Sequence, residues 1–324
     1  MHLVLGYPGP VAQRVVALLL GRGEKVSVIV DASSRRMVPD GVHVFEGVTT
    51  AIDFGLTGGE YARPVQDVDQ VYCAEVPQRI PSDIEESPLV RCASELKELV
   101  KAGGARGGVR FLSSLLVFGD MKTPASEHDF DVDQGFSGAF EEAAALAEKL
   151  IRSVCGECAM SIVRIAPVVA DEEAGTVFEH SPLGSLARAI DSALDGFEMA
   201  FTDAPIRFET VERAAQALIA SSPSSPLQVL HVVDEEPLSD RQLVGWLANR
   251  ANREVREVSG AWKPLLALMR SEEPGGRAFS GWDLLFSRSE AERAIPELLD
   301  RDDQELLGRL FPQPGTEQEL APRG

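Results

Sequence analysis

Positive charge is scarce in this chain. Its 31 Lys and Arg stand against 51 Asp and Glu in 324 residues, a formal net charge of −20 with a pI near 4.7. Binding to a phosphate backbone or an anionic lipid surface normally starts from a positive patch, so neither nucleic acid nor membrane is an expected partner. The acidity reads as solubility and colloidal repulsion, with a basic protein partner as the specific alternative. Cysteine is scarce too: residues 73, 92, 155 and 158 are too few for a disulfide framework at this length, in keeping with a reducing compartment. No uncharged apolar stretch approaches the roughly 20 residues that a membrane span needs. The opening run HLVLG lacks the basic flank of a signal peptide, and the expectation is a cytoplasmic protein. Tyrosine occurs only at 7, 61 and 72, and the residue four places on is Val11, Val65 and Val76 in turn.

What is present is an ordinary globular composition, 44% apolar and 25% charged, in a chain long enough for one large or two modest domains. Short apolar runs at residues 2–4, 25–30, 42–45, 68–74, 109–114, 161–165 and 227–233 alternate with helical patterns. That alternation predicts an α/β fold: a Rossmann-like, doubly wound parallel sheet covered on both faces. Between the first run and a helix expected over residues 11–20 lies Gly6-Tyr7-Pro8-Gly9-Pro10-Val11-Ala12. In such a turn Gly6 permits the tight reversal, Gly9 lets the backbone approach a pyrophosphate, and Ala12 lets helix and strand pack closely. Helix N-terminal N–H groups then hold the anion, although Pro8 and Pro10 offer none. Pro10 is also a good first helical residue; the lost charge-assisted bond is worth about 1.5–3 kcal/mol. Asp31 closes the second run, 19 residues after Ala12, about where a Rossmann unit places the acid that binds an adenosine ribose.

From residue 1 to about 235 the chain resembles the extended short-chain dehydrogenase/reductases, in particular the branch of NAD-dependent epimerase/dehydratase and thioester-reductase domains. The resemblance rests on the glycine turn and on DFGLTGGEY, VDQVYCAE, RFLSSLLVFG, the QGF…AEKL helix and IVRIAPVVA, in family order. It implies a dinucleotide-binding domain at 1–170 and 203–235 and a small, mostly helical C-terminal capping lobe at 171–202 and 236–311, with a loose tail at 312–324. Residues 239–250 read as a capped helix, and the apolar run 262–269 as core or contact surface. The family pattern Asn-x-Tyr-x-x-x-Lys-x-x-x-Glu falls on Gly138, Phe140, Ala144 and Glu148. Phe cannot donate a proton and Ala carries no charge, so the general acid/base pair is absent at its own address. Ser114 matches the catalytic serine, but without Tyr and Lys it has no activating base; a turn or helix-cap role is the alternative.

The same resemblance implies a cofactor cleft formed by Gly6, Tyr7, Gly9, Ala12, Asp31, Arg35, Ala74, Ser113 and Pro167. Asp31 favours NAD over NADP, Arg35 and Arg36 favour the extra phosphate, and Val48 replaces an Asp that contacts adenine in the family. Glu141 and Glu142 lie about 100° and 200° round a helix from Phe140, so neither takes its place, and both are expected to be solvated. Glu127, His128 and Asp129 fall where the family often has an acid near the substrate, and His128 is expected to be a solvated loop residue. Cys155-Gly156-Glu157-Cys158 is half a zinc site without its other half, and a helix C-terminus raises a thiol pKa; no metal is expected. The leading expectation is a catalytically inactive protein of this type that acts by binding, regulatory or scaffolding, with NAD(H) as possible ligand and a protein partner. The alternatives are an active NAD(P)-dependent oxidoreductase or epimerase with a rewired site, and a cofactor-free interaction module. A homodimer through the fourth and sixth helices is a further implication of the resemblance.

Overall fold

Each apolar run of the first 235 residues becomes a strand. The computed structural model describes residues 1–76, 84–136, 138–201, 203–223, 227–258, 285–299 and 301–312. The chain begins β1 (His2–Leu5), α1 (Pro10–Gly21), β2 (Val26–Val30), β3 (His43–Glu46), α2 (Gly58–Asp67), β4 (Gln70–Cys73), α3 (Pro88–Lys101), β5 (Gly108–Ser114), α4 (Ala139–Arg152) and β6 (Met160–Ile165). It continues through β7 (Val168–Asp171), β8 (Thr176–Val177), α5 (Pro182–Ser192), β9 (Phe197–Met199), β10 (Glu209–Thr210), α6 (Val211–Ala220), β11 (Gln228–Val232), α7 (Asp240–Arg250) and β12 (Val255–Glu257). Last come α8 (Ser289–Ala294) and α9 (Asp303–Leu310).

Seven strands form one sheet in the order β11-β6-β5-β4-β1-β2-β3, all parallel. β2, VSVIV, is buried at every position, as expected of a strand covered on both faces. On one face α1 turns Val11, Ala12, Val15, Val16 and Leu19 inward and shares a core with α6. On the other, α3 and α4 pack together, and Ala143, Ala144, Ala147 and Ile151 of α4 lie against β5 and β6. Small side chains let that helix ride close to the sheet.

A third core joins α5, α7 and α9 through Leu183, Leu186, Ile190, Leu243, Leu247, Leu306 and Leu310, and these helices form a lobe. The 239–250 helix is present with a capping box in which Ser239 and Gln242 bond each other's backbone. The lobe also carries short strands that the sequence reading missed: β7 pairs with β8 and β10, and β9 pairs with β12. The segment assigned to the lobe at 236–311 divides, because Ala291, Ile295 and Leu299 pack into the α1–α6 core. The apolar run at 262–269 and the tail from 313 lie outside the described residues. Among the described residues no helix is long and apolar enough to cross a membrane.

Arg301 clips the C-terminal segment to the sheet. Its guanidinium donates to Glu209 at 2.9 Å, Asp234 at 2.9 Å, Asp303 at 2.7 Å and the Phe208 carbonyl at 3.0 Å. Arg213 shares Glu209 and Asp234 from the α6 side. Removing one partner of a buried ion cluster leaves charge without compensation. Arg301→Met is therefore expected to lower the unfolding free energy by about 3 kcal/mol in urea titrations; a loss below about 1 kcal/mol would show that apolar packing alone holds this segment.

Candidate functional site

β1 and β4 are neighbours, and the connections that leave them run to opposite faces of the sheet: α1 to one, α3 to the other. Their carboxyl ends therefore open a crevice, the place where doubly wound sheets bind ligands. Gly6, at φ +95°, ends β1, and a Cβ there would lie 2.8 Å from the Ala74 carbonyl carbon and the Glu75 nitrogen past β4. A Cβ on Gly9 would lie 2.7 Å from the Gly6 oxygen, which accepts the Gly9 N–H at 2.7 Å. Both glycines are thus required by the turn itself. Of the four orphan donors at the start of α1, Gly9 spends its own and Pro10 has none. Val11 and Ala12 retain theirs, and both side chains are buried. An anion can be held here, with two fewer donors than a full helix start.

At the end of β2 the carboxylate of Asp31 accepts from the Ser33 and Ser34 backbones at 2.8 and 3.0 Å and from both hydroxyls. These bonds, led by the Ser33 hydroxyl, hold its pKa below the usual range. Oδ2 accepts one bond only, which leaves it able to take a ribose hydroxyl. Tyr7 is buried and donates its hydroxyl to the Met37 carbonyl, tying the glycine turn to the segment after β2. Arg35 points to Glu46 at 3.2 Å at the end of β3, and Val48 is 45% exposed on that edge.

The helix that carries the family's chemistry begins at Ala139, with Gly138 as its cap. Phe140 is half-buried, and Ala144 is buried in the core beneath α4. One turn further, Glu148 is fully buried, and its partners fix the helix to the sheet. Arg164 of β6 donates to it at 2.6 and 3.1 Å, Arg152 at 2.8 Å and Ser113 at 2.7 Å. Burial would raise the Glu148 pKa, but the Arg164 charge and hydrogen bonds, then Arg152 and Ser113, overcome it and bring it to about 2. Ser113, Arg164 and His231 face one another in register across β5, β6 and β11. His231 accepts from Arg164 at 3.1 Å and gives its Nδ1 proton to the Ser287 carbonyl at 2.8 Å. Burial and then Arg164 lower its pKa to about 3, so it is a neutral acceptor at pH 7. Ser113 therefore gives its hydroxyl to Glu148. Ser114 accepts from the Leu116 N–H at 3.2 Å and caps the short helical turn Leu115–Phe118.

Several expectations change. Glu141 is buried, not solvated, at 5% exposure, whereas Glu142 is exposed. Glu127 is likewise buried, and its carboxylate accepts the backbone N–H groups of His231, Glu290 and Ala291 at 3.1, 2.7 and 2.9 Å. It is a structural tie between β11 and α8. His128 is exposed beside Glu290, and Asp129 turns back to the Ser126 N–H. The Pro167 carbonyl accepts from Glu209 N at 2.8 Å. Cys155 and Cys158 are free and half-buried. The Cys158 thiol is pushed up to about 11, first by burial and then by Glu157 and Cys155, so the direction expected from the helix end has a different main cause. Among the described residues no three His, Cys, Asp or Glu converge on a metal position. Sequence reasoning missed His231, an isolated histidine in an apolar strand, and Glu75, whose signal was a carboxylate just past a buried strand.

Sheet order, crevice and helical lobe together define a class: the fold is that of the extended short-chain dehydrogenase/reductases. No protein-family model and no curated protein sequence matches the chain. Solved structures do. The terminal R domain from the myxalamid PKS-NRPS biosynthetic pathway superposes with a TM-score of 0.75 at 13% identity, over 95% of this chain and 88% of that one. Bordetella bronchiseptica WbmG in complex with NAD and UDP gives 0.66 at 16%, over 95% and 92%. The Thermus thermophilus UDP-glucose 4-epimerase complex with NAD gives 0.61 at 17%, over 96% and 97%. At such identities the likeness is one of fold.

The folded-state pKa of His231 lies below its usual 6.5. The stability this group contributes is therefore complete above 6.5 and is lost as pH falls toward 3. Glu148, also depressed, follows at lower pH, between 4.5 and 2. In urea unfolding at stepped pH, the stability difference between wild type and His231→Gln is expected to shrink on acidification by up to about 1.4 kcal/mol per pH unit. A pH-independent difference would mean that His231 takes up its proton in the fold as readily as in the unfolded chain. Glu148→Gln strands the buried Arg164 and is expected to cost about 3–5 kcal/mol.

Proposed function

We propose that this protein is a catalytically inactive member of this fold class that acts by binding, in a regulatory or scaffolding role, with NAD(H) as its ligand. The observation that carries the reading is on α4. Its first turns put a phenyl ring at 140 and a buried methyl group at 144, two turns and one turn before the Glu148 that anchors the helix. Neither group can move a proton or hold a nicotinamide ribose. The residues present fit the other half of a dinucleotide: the Gly6–Ala12 turn with its two remaining N–H donors would hold the diphosphate, and Asp31 the adenosine ribose. Bound there, NAD(H) would supply a redox-dependent ligand. This chain contributes recognition and no proton shuttle at the usual position. Arg35, engaged with Glu46, does not stand ready for a 2′-phosphate, which favours NAD over NADP.

The partner of such a protein is proposed to be another protein in the cytoplasm, reached through the lobe or an outer face. A homodimer through α4 would use α3 beside it, because α6 lies on the opposite face of the sheet.

Calorimetric titration is expected to give saturable NADH binding and at least tenfold weaker NADPH binding. No heat at millimolar NADH would remove the ligand from the reading. No substrate-dependent NADH oxidation is expected with nucleotide sugars or acyl thioesters; turnover by the wild-type chain would overturn the inactive reading.

A further inference from the structure

Glu148, Glu127 and Glu209 are buried carboxylates, and each is matched by guanidinium or N–H groups. Glu75 is different. It lies two residues past β4, its backbone nitrogen packed against Gly6 in the crevice. Tyr72 and Ala74 face the α1 side and Cys73 the α3 side, and Glu75 follows beyond the end of the strand. The thiol of Cys92 on α3 feels its charge, after the larger effects of the Cys73 hydrogen bond and burial. Among the described residues no cation or hydrogen-bond donor compensates the Glu75 carboxyl.

We propose that Glu75 is a specificity-determining residue of the crevice: its ionised carboxylate opposes a diphosphate on the adjacent glycine turn, and its protonated form admits it. The proposal rests on the dinucleotide reading above and adds to it a proton taken up on binding. An uncompensated negative charge within a Debye length of two phosphates, in a partly desolvated crevice, weakens their binding. Burial pushes the Glu75 carboxyl up to about 7, so it changes charge in the physiological range. The other titratable groups around this end of β4 do not. Cys92 is pushed well above the usual thiol value by Cys73 and burial, and Tyr7 is raised by burial. Glu148 stays ionised against Arg164, and Asp31 is held low by Ser33; Glu95 of α3, raised by burial, also faces Cys92.

If binding requires the protonated carboxyl, the apparent affinity scales with the protonated fraction, and the dissociation constant rises about tenfold between pH 6 and pH 8. The experiment is calorimetry on the full chain with NADH and with ADP-ribose, which keeps the diphosphate and lacks the nicotinamide. It is run at pH 6 and pH 8, and at pH 7 in two buffers of different ionisation enthalpy. Expected are a tenfold weakening for both ligands, net proton uptake by wild type, and loss of both effects in Glu75→Gln, which binds equally at the two pH values. Equal affinity at both pH values with no proton uptake by wild type would overturn the role of Glu75 and leave the dinucleotide reading standing. No binding of either ligand to either protein at either pH would overturn both.

Discussion

The buried pair of Glu148 and Arg164 sets where α4 sits. A guanidinium with no solvent exposure needs acceptors for its N–H groups, and Arg164 places four of its five: two on Glu148, one on His231 and one on the Asp129 carbonyl. Those three partners belong to a helix, a neighbouring strand and a loop, so one side chain fixes the mutual register of all of them. The ring of Phe118, 4.7 Å from the guanidinium carbon, closes the last side. A slip of α4 by one residue would leave two opposite charges unpaired in the core, which costs far more than the few tenths of a kcal/mol that ordinary surface changes cost.

With that anchor in place, α4 carries a half-buried Phe140 two turns before Glu148 and, one turn before it, an Ala144 buried in the core beneath the helix. The crevice at the ends of β1 and β4 is constrained just as tightly. Its glycines are imposed by backbone packing, since a Cβ at either Gly6 or Gly9 would collide with main-chain atoms, and they would be needed whether or not a ligand is bound. Around them Pro10 opens α1 without an N–H, Val48 is exposed past β3, and Glu75 follows β4 with its carboxyl pushed up by burial.

Much of this was legible beforehand because it follows from short-range rules. Seven apolar runs, a glycine turn and the 3.6-residue periodicity of α1 and α7 are local patterns, and a parallel sheet buried on both faces writes them strongly. Ser114 as a helix cap was likewise readable from neighbours in sequence, whereas the raised thiol of Cys158 owes most to burial. The lobe was less legible: β9 pairs with β12 across 58 residues, from Phe197 to Val255, and strands of two or three residues carry no periodicity to detect. Glu141 was misjudged as solvent-facing, and the tie that Glu127 makes between β11 and α8 was not visible, because both depend on segments far away in the chain.

By itself the sequence determined the fold class, the glycine turn, the acid at 31 and the absence of a tyrosine and lysine at the catalytic address, since each is a matter of residue type at a local spacing. Only the tertiary structure decided that Glu148 is a buried anchor, that His231 is its neutral neighbour, and that Glu75 sits beside Gly6 with no compensating cation among the described residues. Burial and pairing are properties of what surrounds a side chain. For these three residues the surroundings arrive from strands and helices that the chain visits tens of residues apart.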